Sequence, residues 1–247
     1  MLFQTILSLS AETIPENTYM TKATGNALIS LILIFLTSCD WNNYSIDGRV
    51  SIGGLNGDTI TLKRYLDEIE GDEQSVVVRK GEFELEGIVS EPYMAGIFHK
   101  GILVMPLVVE PGNIDVEITD VSAEASGTEL NRAFFSYLRN VDEFNKEMTG
   151  ISRMEARLIM DGMHPDSAKV RTKERFDKSH AELESYIETF IQEHYEDILG
   201  PLVFKQWFGQ MYYPMSNRLF KKLLDEAPEA FKQDKAIKEL LDPKIYI

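Results

Sequence analysis

The chain has 247 residues, of which 25 are Lys or Arg and 40 are Asp or Glu, so its formal net charge is −15 at pH 7. A hydrophobic fraction of 44% is enough for a packed core, and the length suits one or two domains. The single cysteine excludes an intrachain disulfide, a CxxC redox pair and a multi-cysteine zinc site. The acidic balance argues against a nucleic-acid partner, because neutralising phosphates requires clustered Lys and Arg.

The first forty residues contain an apolar segment of ten residues, 27–36, which follows Lys22. This segment is too short to cross a bilayer core, which takes about 20 helical residues, but it is typical of a signal peptide behind a basic residue. The next residues, Leu36-Thr37-Ser38-Cys39, resemble the bacterial lipobox, in which the cysteine is lipidated and becomes the mature N-terminus. We therefore expect a signal peptide over 1–38 and a lipidated tether over 39–43.

Two features of this region leave alternatives open. A short apolar segment also occurs as a buried core helix, in which case Cys39 would be an ordinary buried side chain. Residues 1–19 contain no Lys or Arg, unlike the start of a signal peptide, so Met20 is the more natural first residue. The lipobox predicts attachment to a membrane through the N-terminal lipid. We expect the cell envelope, on the periplasmic face of the outer membrane.

From Tyr44 onward the hydrophobic pattern alternates with a period of two residues, which predicts β-strands separated by turns. Lys80-Gly81 is a candidate hairpin turn between two of them. The predicted strands cover residues 44–52, 60–62, 76–78, 83–89, 93–98, 103–109 and 114–118. Short strands at this spacing predict an antiparallel β-sandwich or open barrel over residues 44–126.

At Thr128 the period changes to that of an amphipathic helix, with Thr128 as a predicted N-cap. The pattern predicts an all-helical C-terminal domain over residues 127–247, and hence an α+β protein. Other helix boundaries are predicted at a Ser152–Glu155 capping box, an Asp166 cap, a Gly200-Pro201 break, a Ser216 start and a last helix from Pro228 to Leu241.

The strand half resembles a bacterial family, the domain of unknown function 4369, which is found in lipoproteins of the Gram-negative envelope. The resembling segments run from Tyr44 to Asn145. They are Ile46-Asp47-Gly48-Arg49-Val50, Lys80-Gly81-Glu82-Phe83-Glu84-Leu85-Glu86-Gly87, Glu91-Pro92, Val109-Glu110-Pro111-Gly112-Asn113-Ile114 and Ser126-Gly127-Thr128-Glu129-Leu130-Asn131.

In many relatives of this family a helical linker and a thioredoxin-like domain follow, which makes them thiol-disulfide oxidoreductases. The helical half of this chain resembles that linker, and we expect the chain to end about where the thioredoxin-like domain would begin. Thiol exchange requires a thiolate, usually one of a pair. Because the single thiol, Cys39, would be consumed by lipidation, no redox residue carries over.

The remaining candidate sites are weak. The densest aromatic cluster, Trp207-Phe208 with Tyr212-Tyr213, is either a ligand or partner contact or part of the core. The acidic run from Asp67 to Glu73 is either a solvated loop or a cation site. The histidines are scattered, and none is expected to bind a metal; they are His99, His164, His180 and His194.

No catalytic constellation and no cofactor are predicted. The sequence therefore favours a non-enzymatic envelope lipoprotein that binds a ligand or an envelope protein partner. The alternative, suggested by the resemblance, is an accessory component of an envelope thiol-disulfide system that acts with a separate thioredoxin-like protein. A third hypothesis is a hydrolase whose site the sequence does not reveal.

Overall fold

The computed structural model describes residues 42–64, 73–209 and 215–241. This part of the chain is α+β, as predicted, with strands followed by helices. The strands are β1 (Asn43–Val50), β2 (Thr59–Arg64), β3 (Gln74–Val77), β4 (Glu82–Ile88), β5 (Tyr93–His99), β6 (Ile102–Val109), β7 (Gly112–Ile118) and β8 (Ala123–Ser126). The helices are α1 (Glu129–Met160), α2 (Pro165–Glu193), α3 (Leu199–Gly209), α4 (Asn217–Glu226), α5 (Glu229–Gln233) and α6 (Lys235–Leu241).

The described strands form two four-stranded sheets that enclose a common core. One sheet has the order β4-β1-β7-β8 and the other β3-β2-β5-β6. Neighbouring strands are antiparallel except β1 and β7, which run parallel with Ile46 opposite Ile114. The predicted sandwich is confirmed, but the parallel pair was not predicted, because alternation shows which face of a strand is buried and not which strand lies beside it.

Strands β1 and β4 are held together by two aromatic rings that lie over glycines. Gly48 is paired with Phe83, whose ring is so close that a Cβ on Gly48 would lie 2.0 Å from it. Tyr44 covers Gly87 in the same way, at 2.6 Å from its hydroxyl. Both rings are buried, so each fills the space that a side chain on the opposite strand would occupy.

The predicted hairpin at Lys80-Gly81 is confirmed. Both residues have positive φ, 57° and 80°, as a two-residue type I′ turn requires. This turn carries the chain from the second sheet, through β3, to β4 in the first sheet. A second turn of the same kind, Lys100-Gly101 with φ of 50° and 81°, joins β5 to β6.

The sandwich is joined to α1 by the fully buried side chain of Asn131. Its Oδ1 accepts a hydrogen bond from the backbone N–H of Val108 at 3.0 Å, and its Nδ2 donates to the Val108 carbonyl at 2.7 Å. The backbone N–H of Asn131 donates to the buried carboxylate of Glu110 at 3.0 Å. The end of β6 and the first turn of α1 are thereby fixed to each other.

Thr128 occupies the N-cap position, as predicted, but its hydroxyl does not cap the helix. It accepts instead from Asn131 Nδ2 at 2.9 Å. The free N–H of the first turn is satisfied by Glu110, whose negative charge is favourable at a helix N-terminus.

Two predicted helix starts are wrong. α1 is continuous over 32 residues and passes through Ser152, whose hydroxyl donates to the Thr149 carbonyl inside the helix, so no capping box forms. The next helix is capped by His164, which accepts from the Asp166 N–H at 3.3 Å, rather than by Asp166.

The later boundaries are partly as predicted. Gly200-Pro201 does not end a helix but lies in the first turn of α3, where proline is tolerated because no hydrogen bond is lost. Ser216 caps α4, as predicted, by accepting from the Leu219 N–H. The last predicted helix is divided into α5 and α6 at Asp234, whose carboxylate accepts from the Ala236 N–H at 2.8 Å.

The core runs without interruption from the sandwich into the helices. It includes Ile46 and Ile114 between the sheets and Tyr137, Phe204 and Phe231 among the helices, and all five are almost fully buried. From Asn42 onward the chain is one compact unit. No helix in the described part of the chain is long and apolar enough to cross a membrane.

We expect Asn131→Ala to lower the free energy of unfolding by about 3 kcal/mol, because the N–H and carbonyl of Val108 would remain buried without partners. Urea denaturation measures this loss. Asn145→Ala, at an exposed position on the same helix, should change the free energy of unfolding by no more than about 0.5 kcal/mol. Equal effects of the two substitutions would contradict the role of Asn131.

Candidate interaction surfaces

Several residues singled out from the sequence lie outside the described residues. These are the lipobox residues Leu36, Thr37, Ser38 and Cys39, the aromatic residues Tyr212 and Tyr213, and residues 67–72 of the acidic run. Glu73, the last residue of that run, forms an ion pair with Lys63 on β2. The predictions made for the lipobox remain predictions.

The two described members of the aromatic cluster lie in the interior of the helical half. Trp207 is buried, and its indole N–H donates to the Tyr137 hydroxyl at 2.8 Å. Burial raises the pKa of Tyr137 well above its ordinary value, and Tyr137 in turn donates to Gln206 at 2.9 Å. Phe208 packs against Phe204 and Phe220. These contacts fit the core interpretation of the cluster.

The four histidines lie in separate places, each beside a local partner. His99 Nε2 is 2.8 Å from Asp58, His194 Nδ1 is 2.6 Å from Asp197, and His180 stacks on Phe176. His164 caps α2. Within the described residues no three His, Cys, Asp or Glu side chains are grouped so that they could hold a metal ion.

The most prominent feature of the helical half is the antiparallel hairpin of α1 and α2. At 1.5 Å per residue the 32 residues of α1 extend about 48 Å. We name residues 148–176 the hairpin tip. Its buried apolar residues, Met148, Ile151 and Ala168, do not belong to the main core cluster. The tip is therefore stabilised mainly by contacts between its two helices.

The hairpin tip points away from the end of the sandwich at which β1 begins. Tyr44 is paired with Gly112, and a Cβ on Gly112 would lie 3.2 Å from the Thr128 side chain, so β1 and α1 begin at the same end. From there α1 runs back along β8, where Arg139 contacts Glu124 at 3.3 Å. The tip therefore lies at the end of α1 that is remote from the start of β1.

Apolar side chains are exposed at the hairpin tip. Met160 is 85% exposed and Val170 is 57% exposed, while Phe176 and Ile159 are 42% and 38% exposed. Large apolar side chains that cluster on a surface indicate an interaction site.

The charged residues of α2 are unevenly distributed along its length. All its basic residues lie in the N-terminal half, namely Lys169, Arg171, Lys173, Arg175 and Lys178. Its C-terminal half has no Lys or Arg and contains Glu182, Glu184, Glu188 and Glu193. The first turn contains Asp166, which interacts favourably with the helix dipole, so the basic residues beyond it are concentrated at the hairpin tip without opposing the dipole.

Basic side chains on the hairpin tip are available for an external partner. Arg175 pairs with Glu147 across the hairpin, and Lys173 pairs with Asp177. Among the described residues no ion pair or hydrogen bond involves the side chains of Arg153, Arg157, Lys169 and Arg171, all of which are exposed. The tip thus combines unpaired cations with exposed apolar side chains.

The outer face of the β4-β1-β7-β8 sheet is acidic and concave. Asp47 on β1 lies opposite Glu84 on β4 and beside Asp115 on β7, so three like charges stand in one row across the sheet. Like charges opposite each other destabilise a sheet. This row lies in a groove of about 1200 Å³ that is also lined by the exposed side chain of Val77. We name it the acidic groove.

Residues 44–134 match the family model described as a domain of unknown function, DUF4369. The match covers less than half of the chain and supports the resemblance of its strand half to this family. The match covers all eight strands and the first turns of α1, including Asn131, and ends before Asn145, the limit predicted from the sequence. The junction formed by Glu110, Thr128 and Asn131 thus lies within the matched residues. No curated protein matches the chain.

At the hairpin tip, we expect Met160→Ala to leave the free energy of unfolding within about 0.5 kcal/mol of the wild type, because the side chain is exposed. Ile151→Ala, which removes a buried contact between the same helices, should lower it by about 2 kcal/mol. Thermal denaturation of the two variants measures both changes. A large loss of unfolding free energy in Met160→Ala would mean that this exposed side chain contributes to the fold.

In the acidic groove, we expect Asp47→Lys to raise Tm by about 1–2 °C, because a cation would replace the middle charge of three carboxylates. Differential scanning calorimetry at low salt measures the change. Asp120→Lys, which makes the same change of charge in the exposed turn between β7 and β8, should leave Tm unchanged. A lower Tm for Asp47→Lys would show that the row of carboxylates is not repulsive.

Proposed function

We propose that this protein is a lipid-anchored component of the cell envelope that acts as a non-enzymatic interaction module. The observation that carries the proposal is the hairpin tip, which combines exposed apolar side chains with cations that have no described partner. Met, Phe and Arg are enriched in protein interfaces, and exposed apolar clusters of this kind are typical of binding surfaces. The sandwich would serve as the rigid base of the hairpin.

The anchor is proposed from the lipobox, with lipid on Cys39. Only Asp40, Trp41 and Asn42 separate this cysteine from β1, so the Cα atoms of Cys39 and Asn43 are at most about 14 Å apart when the segment is fully extended. The end of the sandwich where β1 begins would then lie close to the membrane. Since α1 begins at that same end, the hairpin would carry its tip away from the point of attachment. The expected location is the periplasmic face of the outer membrane.

The second candidate is an accessory component of an envelope thiol-disulfide system. It is supported by the DUF4369 match together with the resemblance to lipoproteins that join this domain to a thioredoxin-like domain. Co-purification from membranes under mild detergent separates the candidates. Stoichiometric recovery of a thioredoxin-like protein with the wild type, lost on Arg153→Glu/Arg157→Glu, would favour the accessory role.

The anchor is tested with Cys39→Ala in the full chain. We expect this variant to lose both membrane fractionation and incorporation of labelled palmitate, because no other cysteine is present to accept a lipid. Ser38→Ala is the matched control and should retain both, since the lipobox accepts small residues at this position. Unchanged palmitate labelling of Cys39→Ala would refute the lipoprotein proposal.

A further inference from the structure

Two surfaces of this protein carry opposite charge. The hairpin tip presents cations with no described ion-pair partner, namely Arg153, Arg157, Lys169 and Arg171. The acidic groove places Asp47 between Glu84 and Asp115 on neighbouring strands, where like charges repel. Each surface therefore offers the charge that would neutralise the other.

We propose that the hairpin tip docks into the acidic groove of a second copy of this chain. The groove is lined by six acidic residues and two arginines, so it is strongly negative; the acidic residues are Asp47, Glu82, Glu84, Asp115, Glu117 and Glu124. The tip presents Arg153, Arg157 and Lys169 from two helices. Placing these cations against the carboxylates relieves the repulsion within the groove and gives the tip cations ion-pair partners.

Both surfaces also carry exposed apolar side chains. The tip exposes Met160 and Val170, and the groove exposes Val77 at its β3 edge. Val77 is 41% exposed, and it lies on an edge strand whose outer side pairs with no described strand. Burying these side chains against one another adds a hydrophobic contribution to the electrostatic one.

The arrangement of side chains on the tip favours a protein surface over a lipid surface. On α1, Arg153, Arg157 and Met160 are spaced i, i+4 and i+7, so they share one face. On α2, Lys169, Lys173 and Phe176 have the same spacing. A helix that lies in a membrane interface separates its cations from its apolar side chains onto opposite faces, whereas these are interleaved.

Reciprocal docking closes the assembly as a two-fold symmetric dimer. The tip of each copy occupies the groove of the other, so both contacts form at once and neither surface is left open for further growth. A two-fold axis perpendicular to the membrane would keep both N-termini at the same height, which is compatible with two lipid anchors. The inference rests on the proposed role of the tip as an interaction surface and not on the anchor.

The test uses the full chain purified in mild detergent and analysed by sedimentation equilibrium with the detergent matched in density. We expect the wild type to dimerise, with a dissociation constant that rises as salt is increased. Arg153→Glu/Arg157→Glu in the tip and Asp47→Lys/Asp115→Lys in the groove should each raise the dissociation constant at least about tenfold. Lys221→Glu/Lys238→Glu, two exposed lysines outside both surfaces, should leave it unchanged.

Mixing the two variants provides the decisive control for misfolding. The tip variant keeps the acidic groove, and the groove variant keeps the basic tip but has a groove in which four acidic side chains are balanced by Arg49, Arg79 and the two introduced lysines. In a mixture the tip of the groove variant meets the unchanged groove of the tip variant, so one of the two contacts is restored. We expect the two variants to form a heterodimer with a higher affinity than either has for itself, and circular dichroism should show unchanged helix content in both.

The proposal is overturned if the wild type remains monomeric at 100 µM, if only one of the two reversals weakens the dimer, or if the mixture does not associate. Vesicles containing 30% phosphatidylglycerol test whether the hairpin tip binds a lipid surface instead of a second copy of the chain. Binding of monomeric Cys39→Ala protein to them, lost in the tip variant, would assign the tip to a lipid surface instead. Failure of the dimer leaves palmitate labelling at Cys39 unaffected, so it is distinguishable from failure of the anchor.

Discussion

The position of the helical half depends on the contact between Asn131 and the end of β6. The side-chain amide of Asn131 replaces a strand neighbour for Val108, since it donates to the carbonyl and accepts from the N–H of the same residue. The carboxylate of Glu110 then accepts a hydrogen bond from the backbone N–H of Asn131, which has no partner within the first turn of α1. Because these groups are buried, loss of any one of them leaves another without a partner, and the direction of α1 is strongly constrained.

This constraint is transmitted to the hairpin tip. α1 is continuous for 32 residues, and a helix of this kind transmits the direction set in its first turn to its far end. The proximal part of the hairpin is further held by Tyr137, Phe190 and Trp207, which join it to the other helices. Beyond Met148 the two helices contact mainly each other, which leaves the tip accessible.

The two surfaces proposed to interact share a physical property, which is that each carries charge not neutralised by its neighbours in the described part of the chain. Arg153, Arg157, Lys169 and Arg171 have no described ion-pair partner, and the row through Asp47 places like charges on neighbouring strands. Such features are expected where a surface is adapted to a partner rather than to the fold alone. Their opposite charges make a second copy of the chain a sufficient explanation for both.

The sequence by itself determined the class of the fold, most strand positions and the turn at Lys80-Gly81, because hydrophobic periodicity and positive φ are local properties. The resemblance of residues Tyr44 to Asn145 to the DUF4369 family was also found in the sequence, and the family model supports it over residues 44–134. The sequence did not reveal β8, whose segment Ala123-Glu124-Ala125-Ser126 has no β-branched residue and becomes a strand by pairing with β7. Local capping signals misplaced two helix starts: α1 packs against α2 and continues through Ser152, and His164 rather than Asp166 caps α2. Only the tertiary structure decided the parallel pairing of β1 with β7, the burial of Asn131 and the meeting of carboxylates in the acidic groove, because each depends on residues that are distant in the chain.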